Sequence, residues 1–213
     1  MNTHDNLLGV AAKAALQPLG FRRRGRSRVW LRDHRWWLTV VEFQPHGSAK
    51  GSFLNVAAHW LWSEGGYLSF DFGGRVEEFR RYASDDQFTG VARQLAEQAA
   101  ACARTMANTF PSVEAAADVL VGCEQSAPPR AKGSWATYHA GVAAGAAGRI
   151  EAATSLLGAI TDPRVTAPAA RLAHIANDPA AFADEVGKLI AHQRTALKLP
   201  ALLLGDLQTP ADR

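Results

Sequence analysis

The chain has 213 residues, of which 47% are hydrophobic and 20% are charged, as is ordinary for a soluble globular protein. This length suits one good core or one domain with an appendage, and the longest apolar stretches are far shorter than the ~20 residues of a membrane-spanning helix. No basic start followed by an apolar run marks a secretory signal, so we expect a cytoplasmic protein. The two cysteines, Cys102 and Cys123, form no CxxC pair and give no reason to expect a redox or metal site.

Positive charge is concentrated in one segment, which runs from Gly20 to Trp37. The whole chain carries a formal net charge of +3, and this segment holds seven arginines against a single acid, Asp33. The chain has 23 basic and 20 acidic residues, so 16 basic and 19 acidic residues lie outside the segment. A protein that coats nucleic acid without sequence preference is more often basic throughout. The local patch therefore indicates a specific anionic partner or an intramolecular one.

The first half of the chain has the pattern of a helix, several strands and a second long helix, in that order. Leucines and alanines recur every three or four residues up to Leu19, which predicts the first helix. The long helix follows Ser84 and Gln87, which have the spacing of a capping box. Period-two alternation and β-branched or aromatic runs predict four strands between the helices, at about residues 27–32, 36–43, 52–62 and 67–72.

The second half is alanine-rich and helical, after a stretch of prolines and small residues from Cys123 to Ser134. We predict an α+β domain over residues 1–122, a linker over 123–134 and a helical domain over 135–213. The predicted fold class is α+β, with an N-terminal antiparallel β-meander of about four strands packed with helices, followed by a small all-α domain.

The predicted first hairpin decides where the arginines point. If Asp33 and His34 form its turn, Trp30 pairs with Trp37, and every second arginine stands on the same face as this pair. The third strand extends that face, since its alternate residues Leu54 and Val56 point to the core. We therefore predict one binding surface, formed by Arg24, Arg26, Arg28, Trp30, Trp37, Asn55 and His59.

Three roles are open for this surface at the level of sequence. It is structural if the arginine stems lie on tryptophan rings and their charges pair with acids, for which the candidates are Glu42, Asp71, Glu77 and Glu78. It is a protein interface if the guanidinium groups pair with an acidic partner. It is a nucleic-acid site if they bind phosphates while the rings stack on unpaired bases.

We expect a non-enzymatic interaction protein, of an immunity- or accessory-like kind, that holds an unknown protein partner with this surface or with the helical second part. A nucleic-acid-binding protein that uses the same face is one alternative, and an enzyme with His59 and Arg28 in a pocket is another.

The seven histidines show neither H-x-x-x-H nor H-E-x-x-H spacing, and no nucleophile or phosphate-loop motif occurs. We therefore predict no metal, no cofactor, no membrane contact and no catalytic residue.

Several short motifs are similar to those of a bacterial family of domains of unknown function, DUF4304. They are "LGFRRRGRSRVWLR" from Leu19, Gln44 after the hydrophobic strand, "FLNVAAHW" with Asn55, "GGRVEEF" and "DDQF". The similarity extends from the first helix to about Leu120. This resemblance implies an α+β domain with an antiparallel sheet and brings no established activity.

Overall fold

The structure is a computed structural model that describes residues 3–201. An antiparallel sheet of five strands near the N-terminus is followed by helices, which confirms the predicted α+β class. The strands are β1 (Arg22–Arg23), β2 (Val29–Asp33), β3 (Trp37–Glu42), β4 (Gly51–Trp60) and β5 (Phe72–Arg81). The α-helices are α1 (Thr3–Leu16), α2 (Asp85–Thr109), α3 (Val113–Ser126), α4 (Trp135–Ala146), α5 (Ile150–Gly158), α6 (Pro163–Ile175) and α7 (Pro179–Ala196).

Contacts group the described residues into two units. The first comprises residues 3–59 and 69–108, and the second comprises 60–68 and 109–201. The sequence places α3 in the α+β domain, ahead of a linker at 123–134, whereas the contacts place α3 with the helices that follow it. The stretch read as a linker contains the end of α3 and a short 3-10 helix, Pro129–Ala131.

The five strands lie side by side in chain order, so the sheet is a meander with one strand more than the four predicted. The predicted strand over residues 67–72 is wrong, because the last strand is β5 at Phe72–Arg81. Two features of β5 depart from the pattern of a buried strand. Gly73 and Gly74 have positive φ angles of 97° and 150°, and β5 lies at the edge of the sheet with several charged residues exposed.

The core of the first unit lies between one face of the sheet and the two helices α1 and α2. Alternate residues of the inner strands form that face, as the pleat of a strand requires. The sheet contributes Trp30, Val41, Phe43, Leu54 and Val56, and the helices contribute Leu8, Ala12, Leu16, Phe88, Val91 and Leu95.

The turn between β2 and β3 lies two residues later than the predicted Asp33–His34 step. The register pairs Asp33 with Leu38, so Arg35 and Trp36 form the tip of the hairpin. Arg35 has a φ angle of 75°, and its backbone N–H donates to Asp33 Oδ1 at 2.8 Å. An aspartate that accepts from the backbone two residues ahead is a common way to hold such a turn.

The second unit is built around α4, in which nine of the twelve residues are buried. Two glycines permit close packing along this helix, because a β-carbon on Gly141 would meet Leu157 of α5 and one on Gly145 would meet the ring of Phe182 of α7. Within residues 3–201, no helix has both the length and the apolar character needed to cross a membrane.

Candidate functional site

The most basic feature of the first unit is the turn that joins β1 to β2, which we call the arginine hairpin (Arg22–Arg28). Gly25 at its centre has a φ angle of 56°, and Arg24 N–H donates to the carbonyl of Val29 at 2.9 Å. The side chain of Arg23 spans the turn, since its Nε donates to the carbonyl of Ser27 at 2.6 Å and its Nη2 to that of Arg26 at 3.2 Å. The hairpin is thus held by hydrogen bonds within itself.

Three arginines of the hairpin are exposed and unpaired. Arg22, Arg24 and Arg26 have no ion pair and no side-chain hydrogen bond to any of residues 3–201. The acids that the sequence offered as partners contact other residues: Glu42 contacts Asn55, Asp71 contacts His59, Glu77 contacts Arg80 and Glu78 contacts Arg75. The guanidinium groups therefore face solvent without a carboxylate beside them.

Arg28 stands apart from the other arginines, at the base of the hairpin. Its side chain is only 17% exposed and forms an ion pair with Asp5 of α1. Its Nη2 donates to Nε2 of His4 at 2.9 Å, and its Nη1 donates to the carbonyl of Gly51 at 3.1 Å. These contacts fix the orientation of the guanidinium group.

The two tryptophans assigned to the binding surface are buried, so this part of the prediction is wrong. Trp30 belongs to the core on the helix-covered face, and its partner across the strands is Val41. Trp37 is 1% exposed and stacks on His34 with ring centroids 3.9 Å apart. Because both rings are packed against protein, neither presents a face on which a base could stack.

Asn55 lies on the opposite face of the sheet from Trp30, so the two do not form a common surface. Its Nδ2 donates to Glu42 Oε2 at 2.9 Å and to Gln44 Oε1 at 3.1 Å, while its Oδ1 accepts from Nε of Arg75 at 2.8 Å. The same guanidinium group lies 4.0 Å from the ring centroid of Phe53. Asn55 is 4% exposed with its amide satisfied, as expected of a structural residue.

His59 is fully buried, and a single ring nitrogen, Nδ1, lies close to two side-chain oxygens. Its Nδ1 lies 2.9 Å from Oγ of Ser69 and 3.1 Å from Oδ2 of Asp71. In a catalytic relay the carboxylate and the hydroxyl contact different nitrogens of the imidazole. Here both oxygens lie near the same nitrogen, so Ser69, His59 and Asp71 do not have the geometry of a catalytic relay.

The structure brings together only part of the predicted surface. Arg24, Arg26 and Arg28 share the hairpin, whereas Trp30 and Trp37 are in the interior and Asn55 and His59 lie on β4 away from the hairpin. The reason is local: residues 24–28 form a turn rather than an alternating strand. Gly25 within "RRRGR" is the sequence signal for this turn, because a glycine between polar residues marks a tight turn. A turn centred on Gly25 places Arg22 on the same hairpin as Arg24 and Arg26, so Arg22 also belongs to the site.

Comparison with protein families, with curated proteins and with solved structures gives no match for this chain. Over residues 3–201 the structure shows no cluster of three or more histidine, cysteine, aspartate or glutamate side chains able to hold a metal ion.

Proposed function

We propose that the protein is a non-enzymatic interaction protein, of an immunity- or accessory-like kind, that holds an acidic protein partner through the arginine hairpin. The observation that carries the proposal is the set of three exposed guanidinium groups, on Arg22, Arg24 and Arg26, without an acidic neighbour in the described chain. Like charges on one turn repel each other in the free protein. Carboxylates of a partner would remove that repulsion and accept bidentate hydrogen bonds.

The rigidity of the hairpin supports a binding role. The side chain of Arg23 and the hydroxyl of Ser27 both bond to carbonyls of the turn, the latter to Arg24 at 2.6 Å. A loop held in one conformation before binding loses less conformational entropy when a partner docks. The backbone of the hairpin is thus already in its binding conformation, and only the exposed side chains lose conformational freedom when a partner docks.

The surroundings of the hairpin favour a protein over a single-stranded nucleic acid. Stacking on aromatic rings supplies much of the binding to unpaired bases, and the tryptophans that could do so are buried. The hairpin lies beside α1, since a β-carbon on Gly9 would be 3.5 Å from Nη1 of Arg23.

The test compares two anionic probes with equal numbers of charges, poly-L-glutamate and oligothymidylate. The hairpin variant combines Arg22→Gln, Arg24→Gln and Arg26→Gln. We expect the natural protein to bind poly-L-glutamate at least as tightly as oligothymidylate, and the hairpin variant to bind it about tenfold more weakly, because each exposed pair contributes only a few tenths of a kcal/mol to ~1 kcal/mol.

The matched control removes the same charge elsewhere, at the exposed residues Arg81, Arg104 and Arg130, each changed to Gln. We expect its affinity for poly-L-glutamate to stay within about twofold of the natural protein. Equal weakening in both variants would show a general charge effect and contradict the proposal. Tighter binding of oligothymidylate, lost in the hairpin variant, would instead support the nucleic-acid alternative.

The resemblance to DUF4304 and a bacterial, cytoplasmic setting remain predictions. Neither brings an activity, so the proposal depends on the hairpin alone.

A further inference from the structure

A cleft of about 450 Å³ opens in the first unit beside the base of the arginine hairpin. Three parts of the chain line it: His4 and Asp5 from α1, Arg28, and the loop of residues 45–51. The cleft is separate from the three exposed arginines of the hairpin, which do not line it.

The loop fixes which nitrogen of His46 carries the ring proton. The backbone N–H groups of Ser48 and Ala49 donate to His46 Nδ1 at 3.1 and 3.2 Å. An imidazole nitrogen that accepts hydrogen bonds carries no proton, so the proton of the neutral ring is on Nε2. His46, an exposed residue, is therefore a hydrogen-bond donor at Nε2.

Arg28 keeps donors to spare after its protein contacts are made. A guanidinium group only donates, so His4 accepts at Nε2 and is held neutral there; burial also lowers the pKa of His4. His4, Asp5 and the carbonyl of Gly51 all contact the two terminal nitrogens of Arg28. The Nε–H of Arg28 makes no hydrogen bond to any of residues 3–201.

Lys50 gives the cleft its net charge. Its side chain is exposed, lies 5.9 Å from the ring centroid of Tyr82, and has no ion pair within residues 3–201. With Arg28 and Lys50 positive, Asp5 negative and His4 neutral, the lining has an excess positive charge.

We propose that this cleft binds a phosphate monoester, with the phosphate oxygens accepting from Arg28, Lys50 and His46. Three donors on three separate side chains suit the three terminal oxygens of a phosphate, whereas a carboxylate is satisfied by one guanidinium fork. The volume exceeds what a bare phosphate fills, so the organic part of the ester has room in the same cleft. This site is independent of the acidic partner assigned to the hairpin.

The test is an NMR titration of the full chain at pH 7.5, where a phosphate monoester is mostly dianionic. The probe is glycerol 3-phosphate, and glycerol and acetate are the controls. We expect saturable shifts of the amide signals of Ser48, Ala49 and Lys50 with glycerol 3-phosphate alone. Lys50→Ala and His46→Ala should each weaken the affinity about tenfold, since each removes one charge-assisted donor.

Two further arms sharpen the result. The first arm measures the affinity of acetyl-phosphoserine methylamide. If this compound binds several-fold more tightly than glycerol 3-phosphate, the phosphate comes from a phosphorylated protein chain. If it binds more weakly, the ligand is a free phosphate ester. The hairpin variant should bind glycerol 3-phosphate as the natural protein does, so failure at one site is distinguishable from failure at the other. Absence of saturable shifts, an equal response to acetate, or shifts that survive both Lys50→Ala and His46→Ala would overturn the proposal.

Discussion

The imidazole ring of His34 stacks on the indole of Trp37, with centroids 3.9 Å apart and planes inclined by 6°. Its Nε2 lies 2.9 Å from Oγ1 of Thr39, so the ring is held from both its face and its edge. Both contacts bridge the ends of β2 and β3 across the turn at Arg35. The pair therefore stabilises the hairpin in its observed register.

His34 should make stability depend on pH. Burial lowers the pKa of His34 to about 3, well below the ordinary value of 6.5. The unfolded chain takes up a proton below pH 6.5 and the folded chain does not, so the free energy of unfolding falls as the pH drops from 6.5 towards 3. Between pH 7 and 5 the loss should be about 2 kcal/mol from this group, measured by urea denaturation.

The control for this prediction is His34→Gln, which keeps a polar side chain without a titrating group. The variant loses the imidazole contacts and should be less stable at pH 7, but its free energy of unfolding should fall about 2 kcal/mol less between pH 7 and 5 than that of the natural protein. Parallel pH profiles for the two proteins would show that folding does not lower the pKa of His34.

Trp30→Ala tests the assignment of faces in the sheet. The indole is 6% exposed in the core, and truncation of such a side chain costs about 3–5 kcal/mol of unfolding free energy. Val10→Ala, on the exposed side of α1 in the same unit, should change stability by less than about 0.5 kcal/mol. If the Trp30→Ala protein keeps its natural stability but binds poly-L-glutamate poorly, Trp30 belongs to the binding surface and not to the core.

Asn55→Asp tests the polar cluster on the other face. The new carboxylate would stand beside Glu42 Oε2, which now accepts from the amide 2.9 Å away. Repulsion raises the pKa of the carboxylate pair in the folded state, so the destabilisation, about 2–3 kcal/mol at pH 7, should shrink as the pH falls to 5. Asn55→Ala should lack this recovery, and urea denaturation at both pH values measures the difference.

Two glycines of the second unit give opposite expectations for the same substitution. In Gly145→Ala the new methyl group overlaps the buried ring of Phe182, and overpacking of this kind costs about 1–3 kcal/mol. In Gly158→Ala, at the end of α5, the methyl group meets nothing within 4 Å, so lower entropy of the unfolded chain should add about 0.4–1 kcal/mol. Thermal denaturation of both proteins checks the signs, and a stabilised Gly145→Ala would refute the close approach of α4 and α7.

The sequence predicts the fold class because hydrophobic spacing reports which residues are buried, and Leu54 and Val56 do point to the core as their alternation indicates. It places the turn at Asp33–His34 incorrectly because the contacts that hold it, from His34 to Trp37 and Thr39, depend on side-chain packing rather than on spacing. It misses β5 for a related reason: an edge strand with glycines at positive φ has no apolar alternation to detect.

For the candidate site, the sequence identifies the charge but not its geometry. Composition alone singles out the arginine-rich segment, and the exposed positions of Arg24 and Arg26 agree with a surface role. The pairing of Arg28 with Asp5 and His4 joins residues far apart in the chain, and no local pattern predicts it. No local pattern predicts the cleft either, because its lining joins α1, Arg28 and the loop that carries His46 and Lys50.

The segment between β4 and β5 has a consequence for dissecting the molecule. Residues 60–68 belong with the helices of residues 109–201, and Trp62 within that segment donates from Nε1 to Nδ1 of His139 at 3.1 Å. The polypeptide thus passes from one unit to the other, returns, and passes over again. A gene fragment that starts at α3 would encode the helices without Trp62, the hydrogen-bond partner of His139, and no single cut of the chain leaves both units whole.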